Sequence, residues 1–298
     1  MLDISIPHII GGSSILMALS FVLYGTTIVQ FFTYWLNCSK DSYLLKGMVV
    51  ALFVLETAGA AFAIADIYHI VITSFDNPLL LLFVTRSPAF IVMLEHLTVL
   101  IVQSFYIHRI WISKFMAGNI HDQPLLRSTC IFSNFSNLCT QSILLAIRFA
   151  FGLAATAYLF RFTIWTQFHS RGPEVAVNGD DVVSALLDAV VASAMIYYLS
   201  KRRSAVSTST NGVVRWILAY SINTGAMSFI VALGAVISYT TMPDSLLFAG
   251  FFVLLGRLYV NSFLGTLNAR PMLQARMVGN EAVVDDSFEL GDVSHLRA

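Results

Sequence analysis

Long runs of apolar residues alternate with short polar segments along most of this chain. Seven of these runs are long enough to cross a bilayer as a helix, since its hydrocarbon core of roughly 30 Å needs about 20 residues. They cover about residues 12–36, 46–73, 88–111, 142–166, 181–200, 214–240 and 246–268. The pattern predicts an all-α integral membrane protein in which residues 1–270 form a bundle of seven transmembrane helices.

The last apolar run, Leu246 to Arg270, carries a polar stripe. The positions that share this helical face, at spacings i, i+4, i+7 and i+11, are Arg257, Asn261, Leu264 and Asn268. Because lipid offers no hydrogen bonds, such a face needs protein or water beside it. Amide and hydroxyl side chains of this kind join helices in membranes. The predicted structural polar seam consists of Gln103, Asn223, Tyr259, Asn261 and Asn268.

The composition agrees with a bilayer as the main partner of the chain. Of its 298 residues, 57% are hydrophobic and 11% are charged, whereas a soluble domain has about 25% charged residues. The formal net charge of zero gives no reason to expect a nucleic-acid partner. Residues 271–298 are acidic and hold few large apolar side chains, which predicts a disordered tail.

The distribution of Lys and Arg predicts the orientation. Twelve of these residues fall in the segments on one side of the predicted spans and three on the other. By the positive-inside rule, the N-terminus lies outside and the C-terminus lies in the cytoplasm. Residues 113–141 are then expected to form a cytoplasmic loop, and Arg148 is expected to extend to the headgroups from the inner end of span four. The pattern does not distinguish the plasma membrane from an endomembrane.

Several ionisable residues lie inside the predicted spans. A charge at the centre of a bilayer costs at least about 2.5–3.5 kcal/mol, so such residues are candidates for function. The candidate ligand-facing residues are Glu56, Asp66, His69, Glu95, His96, Asp188 and Arg257. All except Glu56 and Arg257 are expected in the outer third of the membrane, where a vestibule open to the exterior can hydrate them. Glu56 and Arg257 lie nearer the midplane, and we predict that they form an ion pair between spans two and seven.

For the other candidates, a structural role is the alternative to ligand binding. Asp66 and His69 are i, i+3 neighbours and are expected to hydrogen-bond to each other within span two. His96 and Gln103 lie on one face of span three, where interhelical hydrogen bonds are the expected role.

The C-terminal half, residues 181–270, resembles a known family. The resemblance rests on Asp181, the basic run Lys201-Arg202-Arg203, Tyr220-Ser221-Ile222-Asn223-Thr224-Gly225, Met242-Pro243-Asp244, Leu258-Tyr259-Val260-Asn261-Ser262 and Leu267-Asn268-Ala269-Arg270. This part of the chain resembles a large family of seven-span proteins from mushroom-forming fungi, catalogued as domain of unknown function 6534. The resemblance implies the seven-span architecture and implies no activity.

Three function classes remain open. Seven spans with an external N-terminus and basic cytoplasmic loops favour a receptor or sensor for an unknown small-molecule ligand. A small-molecule or ion transporter is the alternative, although spans 1–3 and 5–7 show no internal sequence match. An intramembrane metal hydrolase is a third class, but no His or carboxylate spacing demands a metal site. We expect no catalytic residues and no cofactor. Retinal is excluded because all four lysines lie in or beside the cytoplasmic loops. The oligomeric state is left open.

The orientation makes a prediction about glycosylation. The chain has two acceptor sequons, Asn37-Cys38-Ser39 and Asn134-Phe135-Ser136. Both fall on the predicted cytoplasmic side, so neither is expected to carry a glycan. Gel mobility before and after glycosidase treatment checks this, and a glycosidase-sensitive shift mapped to Asn134 would show that the topology is wrong.

Overall fold

The structure, a computed structural model, describes residues 6–37, 41–75, 77–118, 124–203, 227–242 and 245–294. Within these ranges the chain is all-α, as predicted, and an isolated bridge between Phe83 and Ile164 is the extended pairing found there. The long helices are α1 (Ile6–Asn37), α2 (Tyr43–Tyr68), α3 (Ser87–Gly118), α4 (Pro124–Arg161), α5 (Arg171–Arg203), α6 (Met227–Thr241) and α7 (Leu247–Ser294). A π-helical turn, His69–Thr73, extends α2, and short 3-10 turns cover Pro78–Leu82 and Trp165–His169.

Five helices of the described residues are long and apolar enough to cross a membrane. Their windows are Gly11–Asn37, Tyr43–Thr73, Ser87–Arg109, Cys139–Arg161 and Leu247–Pro271. The described part of α6 is apolar but shorter, and the first part of the predicted span 214–240 lies outside the described residues. Helix α5 is long but carries many charges. A multi-pass membrane protein is therefore supported, while the count of seven spans and the orientation stay predictions.

The chain between α3 and α4 corrects one prediction. Residues 113–141 were expected to form a loop, but α3 continues to Gly118 and α4 begins at Pro124. Residues 119–123 lie outside the described part. The physical reason is that no glycine or proline occurs from Leu125 to Phe151, so nothing in the sequence ends the helix. The polar residues at the start of α4 extend it beyond its membrane window.

Helix α7 carries the most buried of the five membrane windows found in the described residues. About 61% of its membrane window is buried, compared with 11–39% for the other four windows. It packs against α1, α2 and α3, and α3 in turn contacts α2, α4 and α5. The principal apolar core lies along α7 and includes Val49, Leu52, Val102, Leu255, Phe263, Leu264 and Leu267.

The polar stripe of α7 lies against α1. The Asn261 side-chain amide donates to the Leu23 carbonyl oxygen at 3.0 Å and to Thr27 Oγ1 at 3.1 Å. Asn268 donates in the same way to the Gln30 carbonyl oxygen at 2.8 Å. The prediction that this stripe needs a protein neighbour is confirmed for both asparagines.

Helix α7 continues past the membrane window to Ser294, which differs from the disordered tail predicted for residues 271–298. Pro271 lies within this helix. Good helix formers follow it, among them Met272, Leu273, Gln274 and Ala275, so local propensity favours a helical backbone here even where polar composition suggests disorder.

Candidate functional site

A buried ion pair joins α2 to α7 within the bundle. Arg257 and Glu56 are each only 2% exposed, and Arg257 Nη1 donates to the Glu56 carboxylate. The same nitrogen donates to the Glu56 carbonyl oxygen at 2.9 Å. The Arg257 guanidinium carbon also lies 5.4 Å from the centroid of the Tyr24 ring. The predicted pairing of Glu56 with Arg257 is confirmed.

Asp188 holds four helices together. Its carboxylate accepts hydrogen bonds from Gln103 Nε2 at 2.8 Å, Ser228 Oγ at 3.0 Å and the Tyr259 hydroxyl at 2.5 Å. These donors belong to α3, α6 and α7, whereas Asp188 belongs to α5. The interhelical role expected of Gln103 is confirmed, and three donors satisfy most of what a buried carboxylate requires.

The depth expected for Asp188 was wrong. Asp188 contacts Tyr259, which lies halfway along the Leu247–Pro271 window, so it is near the middle of the bundle rather than in an outer third. Glu95 contacts Gly256 one turn earlier and lies just over a third of the way along the Ser87–Arg109 window. For Asp188 the cause is that α5 begins at Arg171, so the residue lies about 25 Å along the helix from its start.

Arg148 is a second buried guanidinium. Its Nη1 donates to the Tyr259 hydroxyl at 3.3 Å, and its Nε lies 3.8 Å from Asp180 Oδ1. It is 3% exposed, so the expectation that it extends to the headgroups was wrong. The window of α4 begins at Cys139, which places Arg148 about 13 Å from that end. A side chain cannot cross that distance, and nearby carboxylates balance its charge instead.

His96 and Glu95 occupy spaces that glycines leave open. The His96 ring lies against Gly152 of α4, and the Glu95 carboxylate lies against Gly256 of α7. A methyl group added at either glycine would overlap with these side chains. His96 Nδ1 donates to the Val92 carbonyl oxygen at 2.7 Å, and its Nε2 lies 3.3 Å from Asp180 Oδ1.

These contacts form two groups, the Glu56–Arg257 pair and the contacts from His96 through Asp180, Arg148 and Tyr259 to Asp188, with Glu95 beside Gly256; together we name them the charge layer. Its members are Glu56, Glu95, His96, Arg148, Asp180, Asp188, Arg257 and Tyr259. A small void of about 10 Å³ lies beside Glu95, His96 and Arg148, a volume sufficient for about one water molecule.

A larger cavity opens above the charge layer, at the end of the bundle where α1, α3, α5 and α7 begin. We name it the end cavity. Its volume is about 120 Å³, and its walls are mainly apolar. The ionisable residues that line it are Asp66, His96, Asp180 and Asp181. Near this end, the segment between α2 and α3 is hydrogen-bonded to the segment that follows α4. Val84 N donates to the Thr163 carbonyl oxygen, and Arg86 donates to the Phe160 carbonyl oxygen at the end of α4.

Asp66 and His69 do not form the predicted pair. Asp66 accepts a hydrogen bond from Thr85 Oγ1 at 2.8 Å, and the described residues show no hydrogen bond between Asp66 and His69. Thr85, which precedes α3, supplies the hydrogen bond that Asp66 accepts instead. His69 does not line the end cavity, whereas Asp66 and His96 do.

Three important residues were missed as intramembrane candidates: Arg148, Asp180 and Asp181. A usable signal existed on α5, where Asp181, Ser184 and Asp188 recur at i, i+3 and i+7 and so share one face. The predicted span began at residue 181, so Asp180 and Asp181 appeared to lie at the membrane interface. The shared face was therefore not recognised. Asn223, predicted for the polar seam, lies outside the described residues.

The fold and its buried polar residues thus define a multi-pass helical membrane protein. Residues 184–272 match the model of a family described as Family of unknown function (DUF6534). The match includes Asp188, Arg257 and Tyr259 but ends short of Glu56, His96 and Arg148. No curated protein and no solved structure matches the chain. In the described part of the chain, no group of three His, Cys, Asp or Glu side chains is arranged to hold a metal ion.

The Glu56–Arg257 contact predicts strong coupling between the two residues. Arg257→Met alone should lower the free energy of unfolding by about 3–5 kcal/mol, because it leaves Glu56 buried without its cation. Glu56→Leu with Arg257→Met should lose clearly less than the sum of the two single changes. Reversible unfolding by SDS in bicelles measures each variant.

The control is the partly exposed pair of Asp41 and Arg270, whose charged groups lie 3.7 Å apart. Removing Arg270 there should cost no more than about 1 kcal/mol. Additive losses at Glu56 and Arg257 would show that the two charges do not depend on each other.

Gly256 predicts a second coupling. Gly256→Ala should destabilise the fold by about 1–3 kcal/mol, because the new methyl group displaces the Glu95 carboxylate. Glu95→Ala should remove most of that penalty in the double variant. Gly47→Ala is the matched control, since no atom lies within 4 Å of the added carbon. Equal penalties for Gly256→Ala with and without Glu95 would contradict this contact.

Proposed function

We propose that this protein is a receptor-like or sensor-like protein that binds a small molecule in the end cavity and transmits binding to its opposite end. In the proposed topology the chain has seven spans, an external N-terminus and a cytoplasmic C-terminus, so the end cavity faces the exterior. The observation that carries the proposal is that two residues of the charge layer, His96 and Asp180, also line this cavity.

The contacts of these two residues offer a route for transmission. Asp180 contacts Arg148, Arg148 contacts Tyr259, and Tyr259 donates to Asp188. A ligand that hydrogen-bonds to Asp180 competes with Arg148 for the same carboxylate. If it binds one arrangement of this chain of contacts better than another, it shifts the population toward that arrangement. The rearrangement then reaches α5, α6 and α7 together through Asp188.

The apolar core beyond the charge layer favours a receptor-like function over transport. Val102, Leu255 and Phe263 are buried in a tightly packed apolar cluster, and the void beside Glu95 has room for about one water molecule. A transporter remains the alternative function, and it would require a second state in which this cluster opens.

The family match supports the topology. Residues 184–272 correspond to the last three proposed spans, and the twelve-to-three distribution of Lys and Arg supports a cytoplasmic C-terminus. We therefore extend the seven-span fungal architecture over residues 1–270. The plasma membrane is the location that suits a sensor of external molecules.

The proposal is tested by filling the end cavity without a ligand. Ala155 lines it and is buried, so Ala155→Trp places a bulky side chain where a ligand would lie. We expect amide hydrogen exchange over residues 262–272, at the other end of α7, to change several-fold. Exchange is measured by mass spectrometry on protein in nanodiscs.

The matched control is Leu153→Trp on the same helix, where the native side chain is 50% exposed on the outer surface of the bundle. It should leave exchange over residues 262–272 unchanged. If Ala155→Trp also leaves it unchanged, the cavity is not coupled to the far end and the receptor-like function is wrong.

A further inference from the structure

We propose that the end cavity binds a small primary amine, with its ammonium group at Asp181 and Asp180 and a body of about one aromatic ring between the apolar walls. This inference rests on the proposed function, because it names the chemical class of the ligand for the same cavity.

The charges that line the cavity are predominantly negative. Asp66, Asp180 and Asp181 are acidic, and His96 is the one basic side chain among the described lining residues. Asp180 and Asp181 are each 3% exposed. The nearest guanidinium, Arg148, does not line the cavity and donates to Tyr259. Arg148 Nε also lies 3.8 Å from Asp180 Oδ1, so a cationic group entering from the open end shares Asp180 with Arg148, whereas Asp181 forms no ion pair within the described part of the chain.

The acceptors at the inner end of the cavity lack donors. Asp181 accepts no hydrogen bond from any residue in the described part of the chain, although it is almost fully buried. Asp180 Oδ1 is likewise buried without a hydrogen-bond donor from the described residues. Leaving such acceptors unpaired is costly. An ammonium group brings three donors and no acceptor, which is the complement of this arrangement.

His96 adds another acceptor to the same place. Because its Nδ1 donates to the Val92 carbonyl oxygen, Nε2 of the neutral ring carries a lone pair that faces Asp180 Oδ1 at 3.3 Å. A protonated ring donates from Nε2 to Asp180 directly, whereas in the neutral ring the two acceptors repel each other unless a donor lies between them. One N–H of the ligand, placed between His96 and Asp180, would satisfy both atoms.

The walls determine the body of the ligand. They include the aromatic rings of Trp165, Phe168, Phe248 and Phe252, together with aliphatic side chains such as Ile67 and Leu159. Aromatic faces also attract a cation. The volume of about 120 Å³ is similar to that of an engineered cavity of about 150 Å³ that binds benzene. The cavity thus suits one ring or an aliphatic chain of similar size.

Other ligand classes fit these residues less well. A carboxylate or phosphate would be repelled by Asp180 and Asp181. A bare metal ion would find too few ligands, because the described residues contain no group of three potential metal ligands. A neutral alcohol donates one hydrogen bond, whereas an ammonium group donates three and adds a positive charge beside the carboxyl groups.

The experiment compares three probes of similar shape on the full chain in nanodiscs at pH 7: 2-phenylethylamine, 2-phenylethanol and 3-phenylpropionate. We expect the amine to raise the midpoint of thermal unfolding saturably, by about 3 °C or more at a hundred times its Kd. The alcohol should act at least tenfold more weakly, and the carboxylate should have no effect.

Two variants locate the effect. Asp181→Asn preserves the size of the side chain and should weaken amine binding at least tenfold. Glu174→Gln is the matched control, because it removes an exposed carboxylate from the same helix outside the cavity, and it should leave the amine affinity within twofold. The comparison of the three probes on the native chain does not depend on whether either variant folds.

The outcomes separate the two proposals. Stabilisation by the alcohol or the carboxylate but not by the amine overturns the amine class and leaves the receptor-like function standing. No stabilisation by any probe, or amine binding that persists in Asp181→Asn, also overturns the inference. The receptor-like function itself fails only if Ala155→Trp leaves hydrogen exchange in α7 unchanged.

Discussion

The structure depends on one constraint: a charge buried inside a bilayer must be balanced by protein, because lipid provides neither hydrogen bonds nor counter-ions. Arg257 meets the carboxylate and carbonyl oxygen of Glu56, and Arg148 lies between Asp180 and Tyr259. Each contact joins two different helices. The charge layer consequently fixes the rotation and depth of α2, α4, α5 and α7 relative to one another, and the apolar core packs around that arrangement.

The parts of this arrangement that follow from single helices could be predicted from the sequence. Apolar runs gave the helical class, and the polar stripe on α7 gave the contacts of Asn261 and Asn268 with a neighbour. The pairing of Glu56 with Arg257 was predictable because opposite charges at similar depth have few other partners. The seven-span count and the orientation depend on the same patterns but involve α5 and α6, whose described residues do not resemble simple membrane spans.

The remainder could not be predicted because it depends on how helices approach each other. Gly152 and Gly256 create space for His96 and Glu95 from a different helix, and no pattern on one helix records that fit. The depth of Arg148 and Asp188 depends on where α4 and α5 begin, and both helices begin earlier than predicted, at Pro124 rather than 142 and at Arg171 rather than 181. The contact of Asp66 with Thr85 likewise depends on where the segment before α3 lies, which no pattern within α2 records.

Buried acidic side chains outnumber buried basic ones within the described part of the bundle, and the excess is concentrated in one region. Five carboxylates are buried there, against two arginines and one histidine. Arg257 and Glu56 balance each other, Asp188 receives three donors and Arg148 lies beside Asp180, so the carboxylates without a hydrogen bond from the described residues are Glu95, Asp180 and Asp181, of which the last two line the end cavity. If these two side chains contributed only to folding, asparagine or serine would fill the same positions at a lower desolvation cost. The lack of a donor for Asp180 and Asp181 among the described residues is therefore better explained by something that enters the cavity than by the packing of the helices.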